Sequence, residues 1–554
     1  MLAGGTSIKK LSQILTVILI ALTLFAVFKL SPIDVAQNTE SAWSSLSPMP
    51  TARGGFGLAV VGGKMYAVGG LNNNNATLNV VEEYNPQRNE WVAKSSMPTP
   101  RSGFAIAVYD NKIFCIGGTI GSTGTGFIAN NEVYDPATDR WETKSSMPTP
   151  RADLIASVVD GKIYLIGGKQ YASTTPFFVE TNINEVYDPA ADTWTQAASM
   201  PTGVQGYASA VVGKTIYVIG GSRQPSSLEN TVLANLTQVY DTESGNWTLA
   251  AGLPKTNSYG AAAATTGFLA PQRIYLVGGF SDEQFSNNTE VYDPETDSWS
   301  FAELMPTARA YLSLAVIGDI LYAVGGFDGT NWLGTNERFK PVGYGRVPPS
   351  IDIVSPENRT YREVLLHFTV NRATSWIGYS LDDEANVTIN AQVQLGNLSQ
   401  GAHSVRMFAN DSAGNMGASK TVQFSVDIQS PIVSILQPQN TSYGTTDIQL
   451  TFTVDENTTS LAYSLDGKEM EPIAGNLTLA ALSNGAHRLT VYATDEVGNL
   501  GEQTVYFDVA QFPFLLLVAA ITIIVIISSS GFIVLKRSKE VSSEKVALKS
   551  QKQD

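Results

Sequence analysis

Lys64-Met65-Tyr66-Ala67-Val68-Gly69-Gly70, an apolar run closed by two glycines, returns in variant form five more times along the chain. The doublets are Gly69-Gly70, Gly117-Gly118, Gly167-Gly168, Gly220-Gly221, Gly278-Gly279 and Gly325-Gly326, spaced 47 to 58 residues apart. After each of the first five comes a tyrosine and, seven residues on, a tryptophan: Tyr84/Trp91, Tyr134/Trp141, Tyr187/Trp194, Tyr240/Trp247 and Tyr292/Trp299. A self-similar unit of this length is one that buries its faces only against its neighbours, as the blades of a radial array do. The aromatic pairs supply large apolar area for that packing, and each carries a polar atom that needs a partner.

The first unit runs Arg53, then an apolar strand to Val61, a turn at Gly62-Gly63, the quoted run, Val80-Val81-Glu82-Glu83-Tyr84, Asn89-Glu90-Trp91, and Met97-Pro98. That is four strands separated by turn residues. All six units match, and they resemble the kelch repeat; the resemblance implies a six-bladed kelch β-propeller over residues 38–345. The sixth unit lacks its tryptophan, while Ser41-Ala42-Trp43-Ser44 and Met49-Pro50 repeat the fourth-strand pattern ahead of the first unit. The N-terminal strand is therefore expected to complete the last blade, leaving no free edge.

Beyond Val347-Pro348-Pro349 the period changes to about 80 residues. Ile351-Asp352-Ile353-Val354 with Ser355-Pro356 matches Ile432-Val433-Ser434-Ile435 with Gln437-Pro438; Tyr379-Ser380-Leu381-Asp382 matches Tyr463-Ser464-Leu465-Asp466; Gly401-Ala402-His403 matches Gly485-Ala486-His487. These segments, 346–428 and 429–510, resemble the Ig-like sandwich modules of prokaryotic surface proteins, without the cysteine pair of antibody domains. The expected fold class is all-β: propeller, then two Ig-like sandwiches.

Residues 512–535 carry no charge and are followed by Lys536, Arg537 and Lys539. A helix of that length spans a bilayer, so residues 511–535 are expected to be a transmembrane helix, with 536–554 as a cytoplasmic tail. Lys9-Lys10 before the uncharged residues 11–28 mark residues 1–37 as a signal peptide or signal anchor. The expected location is the cell membrane, with the propeller and sandwiches outside. Eleven Asn-x-Ser/Thr sequons agree with export, at Asn75, Asn235, Asn246, Asn287, Asn358, Asn386, Asn397, Asn410, Asn440, Asn457 and Asn476.

A net charge of −15 on 554 residues disfavours nucleic acid as a partner. The lone cysteine, Cys115, cannot form an intrachain disulfide and reads as a small core hydrophobe. All three histidines, His367, His403 and His487, fall outside the repeats, which excludes a copper site resembling that of galactose oxidase. No catalytic set, metal-ligand set or cofactor is assigned, although the Asp411 and Asp495 turns carry oxygen ligands suited to calcium or to a hairpin turn alone.

Candidate binding residues come from two comparisons across the repeats. The unequal loops 119–131, 169–184 and 222–237 carry Phe127, Tyr171, Phe177 and Phe178, which suit sugar faces or a protein partner. Arg53, Arg101, Arg151 and Arg309 recur sixteen residues before their doublets, with Val204 and Asn257 in the two remaining units. They are candidates for an anionic ligand or for structural pairing with the recurrent Glu82, Glu132, Glu185, Glu290 and Glu337. Two residues beyond, glycine stands in three units and Asp153, Tyr259 and Tyr311 in the others, which marks these three as departures from the internal rule. The expected function is membrane-anchored surface binding or adhesion toward a protein or glycan; a sugar-modifying enzyme with its site in the propeller channel is the alternative.

Overall fold

Short strand-forming runs separated by turn residues make each repeat four antiparallel strands, the second of them apolar almost throughout. A computed structural model describes residues 42–121, 126–172, 178–223, 232–511 and 514–547. The expected signal segment, 1–37, and Phe177 lie outside the described residues. The chain divides into two units, at Val347 and Pro348.

In the first unit six four-stranded sheets follow one another. Blade one contains Gly57–Val61, Lys64–Val68, Val81–Asn85 and Glu90–Lys94, and blade five contains Ala261–Ala264, Ile274–Val277, Thr289–Asp293 and Ser298–Phe301. Blade six takes its outer strand from the other end of the chain. Trp43–Ser45 pairs antiparallel with Asn336–Phe339, Trp43 opposite Phe339. The buried clusters straddle neighbouring blades: Tyr66 and Val68 of blade one pack with Ile113, Cys115 and Tyr134 of blade two. No blade closes a core alone, so the six stand or fall together. Cys115 is fully buried, and burial pushes its thiol up to about 12, which keeps it inert.

The glycine doublets are where blades are stapled. The first glycine of each has positive φ, and its second donates its N–H to the carbonyl of the next blade's Arg-column residue. Gly70 thus reaches Arg101, Gly118 reaches Arg151, Gly168 reaches Val204, Gly221 reaches Asn257, Gly279 reaches Arg309 and Gly326 reaches Arg53, at 2.7–3.1 Å. A Cβ on Gly278 would sit 2.6 Å from the Arg309 carbonyl oxygen, too close for any side chain. At the rim the tyrosine–tryptophan pairs stack at 4.8–5.1 Å. Each tryptophan indole N–H donates across to the preceding blade, as Trp141 does to the Ser95 carbonyl at 2.9 Å.

The second unit holds two all-β modules with the same strand order. In the first, Ile351–Ser355, Val364–Val370 and Val393–Leu395 form one sheet, and Trp376–Leu381, Gly401–Asn410 and Val422–Val426 lead the other. Each module has its own apolar core, one around Val405, Met407 and Phe424, the other around Leu489, Val491 and Phe507. His403 and Asp382 pair at 2.7 Å, as do His487 and Asp466 at 2.9 Å.

A helix spans Phe514–Ala547. Among the described residues no helix is long and apolar enough to cross a membrane. The transmembrane helix expected over 511–535 is therefore not found among the described residues.

Candidate functional site

A second ring of hydrogen bonds encircles the mouth of the propeller channel. The residues two beyond the Arg column join N–H to C=O in one closed circuit: Gly55 to Tyr311, Gly103 to Gly55, Asp153 to Gly103, Gly206 to Asp153, Tyr259 to Gly206 and Tyr311 to Tyr259, at 2.6–3.1 Å. All six have φ between 52° and 60°. This is why glycine is the rule there. Asp153, Tyr259 and Tyr311 hold the left-handed conformation with a side chain attached, which costs each of them about 1–2 kcal/mol. Non-glycine residues in such a conformation cluster where a side chain has a task.

The three side chains line one cavity of about 300 Å³, floored by Leu154, Tyr207, Ala261 and Leu312 among others. Tyr259 and Tyr311 stack at 4.2 Å with 29° between their planes. Trp332 meets Tyr311 edge-on at 5.9 Å and packs on Phe327 at 4.9 Å. Opposite this aromatic arc, Asp153 Oδ2 lies 2.6 Å from Lys169 Nζ, which also sits 4.9 Å over the Phe178 ring. Gln205 donates to Glu180 at 2.9 Å. Burial, and then the charge of Asp153, raise both phenols far above the usual tyrosine range. They stay protonated and serve as hydrogen-bond donors. The mouth therefore offers apolar ring faces with phenol donors on one side and paired charges on the other.

The four arginines are not part of it. Arg53, Arg101, Arg151 and Arg309 are 0 % exposed, and each meets a glutamate: Glu82 at 2.5 Å, Glu132 at 3.1 Å, Glu185 at 2.7 Å and Glu337 at 2.6 Å. The expectation of guanidinium groups presented to an anionic ligand is corrected by this burial. Arg53 and Arg309 also donate to the Ala67 and Ala323 carbonyls. Blade four replaces the pair with Val204 and Gln238, whose amide spans Thr202 N and O.

Phe127 and Tyr171 border a separate open cleft with Thr149, Pro150 and Gln170, away from the mouth residues. Nine sequon asparagines are exposed, and Asn287 and Asn410 are half-buried. Between the two sandwich modules the carboxylates of Asp427, Glu456 and Asp495 come within 4.8 Å of one another, an arrangement that suits a hard cation. Asp495 is already held by Val497 N and Asn499. Asp411, the other turn aspartate singled out by sequence, instead closes its own hairpin on Asn415. Lys169, Glu180, Gln205, Phe327 and Trp332 were missed by sequence reasoning. A signal existed for two: the residue after each doublet bridges to the mouth strand, and Lys169 and Phe327 stand in that column.

Residues 65–332 match the family model described as the Attractin/LZTR1 beta-propeller. This part of the chain is a kelch-repeat propeller. Kelch-like protein 36 of Rattus norvegicus is 29% identical over 171 residues, 30% of this chain and 26% of that protein. Kelch-like protein terF of Aspergillus terreus is 35% identical over 146 residues, 24% of this chain and 30% of that protein. The chain thus spans between a quarter and a third of these curated relatives. A solved structure titled "Structure of YjhT" aligns with a TM-score of 0.45 and 17% identity, covering 59% of this chain and 100% of that one. The family model falls within the first unit, which contains the mouth.

Proposed function

We propose that this protein is a membrane-anchored surface receptor or adhesin whose kelch propeller binds a protein or carbohydrate ligand at the channel mouth. One observation carries the reading: Tyr259 and Tyr311, stacked and held at positive φ beside the Asp153–Lys169 pair, line an open cavity where three other blades keep glycine. Ring faces next to hydrogen-bonding groups fit a sugar ring or an aromatic-rich peptide loop. The two modules that follow serve as an Ig-like stalk. The anchor rests on sequence alone: residues 512–535 carry no charge and are followed by Lys536, Arg537 and Lys539.

A glycan array and a surface pull-down with the ectodomain, residues 38–510, test the reading. Binding is expected, and it is expected to vanish in the Tyr259→Gly, Tyr311→Gly variant. An ectodomain that binds nothing in either format, or that binds equally well with both tyrosines removed, refutes it. The sugar-modifying alternative is served less well by the mouth, because both phenols remain protonated and Asp153 is held by Lys169.

A further inference from the structure

Blade five keeps the glutamate of the Arg–Glu column but not the arginine. Glu290 is 1 % exposed, and among the described residues neither of its carboxylate oxygens has a hydrogen-bond partner of normal geometry. Asn257, also buried, occupies the arginine position and turns its amide to the Gly278 carbonyl at 2.8 Å. That reproduces one bond of the sister site, where Arg151 donates to Gly167 O at 2.8 Å, and omits the rest. In blades one, two, three and six the guanidinium group bridges the glutamate and the carbonyl of the residue that stands opposite it across the strand pair. The counterpart in blade five is Leu276, in register with Glu290 as Ala323 is with Glu337. Oxygen atoms that in the four sister blades meet a guanidinium at 2.5–3.1 Å here meet no cation at contact distance among the described residues. Lys255 and Asn288 are the groups nearest in effect, and they offset only part of the burial.

We propose that blade five holds a buried site for a monovalent cation, bound by the Glu290 carboxylate and the Leu276 carbonyl at the position filled by a guanidinium in four other blades. Charge sets the class of ion. One carboxylate among neutral carbonyls balances a single positive charge, whereas a divalent ion would leave an uncompensated charge in a low-dielectric interior. The site is deep between strands and separate from the mouth, so its role is to complete the ring's electrostatics rather than to read a ligand.

The test is thermal unfolding of the full-length protein at about pH 8, followed by tryptophan fluorescence, since seven of the eight tryptophans lie in the propeller. Sodium, potassium and N-methylglucamine chlorides are compared at equal ionic strength. A propeller midpoint higher by at least about 2 °C in sodium or potassium than in N-methylglucamine is expected. The increment should disappear in Asn257→Arg, which supplies the guanidinium, and in Glu290→Gln. Equal midpoints in all three salts overturn the proposal, as does an unchanged increment in either variant. A midpoint that rises on acidification identically in every salt shows that a proton alone neutralises Glu290, and also overturns it. If Glu290→Gln fails to fold, the Asn257→Arg comparison decides.

Discussion

Blade two and blade five are built on the same template and differ at each position that the template leaves adjustable. Blade two has Arg101 on Glu132, with the guanidinium resting 5.6 Å from the Phe104 ring, and glycine at the mouth. Blade five has Asn257, an unpartnered Glu290 and Tyr259 at the mouth. The backbone is unaffected: both blades donate and accept the same bonds in the doublet ring and in the mouth ring. The staples between blades are therefore main-chain, and the side chains at the Arg column and the mouth can be exchanged without losing the ring. One column was spent on internal charge pairing, the other on what faces the channel.

Breaking blade two at its charge pair should give the largest effect. Arg101→Met leaves Glu132 buried without its cation and is expected to cost about 3–5 kcal/mol. Adding Glu132→Gln should recover most of that loss, and chemical denaturation of both variants measures it. Next comes the pH dependence of blade five. Burial raises Glu290 from 4.5 to about 7. Its folded value stands above its unfolded one, so the folded state holds the extra proton. The associated stability is complete below about pH 4.5 and is lost as pH rises through about 7. In buffers free of small cations, Glu290→Gln should gain on the wild type by roughly 3 kcal/mol between about pH 5 and pH 8, whereas a flat difference across that range contradicts the assignment.

Smaller effects follow at the mouth. Gly103→Ala in blade two places a Cβ at φ +60° and 2.5 Å from Asp153 Oδ1, with an expected cost of about 1–2 kcal/mol. The reverse change, Tyr259→Gly in blade five, relieves the left-handed tyrosine but loses the stack on Tyr311. Those two contributions nearly cancel, so stability should move by less than about 1 kcal/mol. Ligand binding, measured on the same sample, should be abolished. A variant that binds normally would reduce Tyr259 to a structural ornament.

Repetition made the propeller readable. The doublets count the sheets, and because they fix the register, Asp153, Tyr259 and Tyr311 could be found as exceptions at one column before any geometry was known. The same register exposed the Arg–Glu column, and the joint loss of both charges at Val204 and Gln238 pointed to pairing, as their burial bears out. What sequence could not supply was direction. Whether an arginine near a channel mouth faces in or out depends on which side of the strand the glutamate occupies three strands away. Trp332 and Glu180 were hidden for another reason: they sit in loops of unequal length, where columns cease to align. The meeting of Asp427, Glu456 and Asp495 depends on how one module abuts the next, which an 80-residue repeat does not encode.

The pairing of Trp43 with Phe339 joins strands 296 positions apart. On a ribosome moving at about 5–20 residues per second, the first strand waits on the order of 15–60 s for its partner. During that interval it offers an unpaired edge to any passing strand, including that of a neighbouring nascent copy. Blade six likewise lacks its fourth strand until residues 43–45 return. The seam that makes the finished ring edgeless is thus the step at which assembly is most exposed to error, and strand exchange between two chains at this seam is the misassembly the architecture invites.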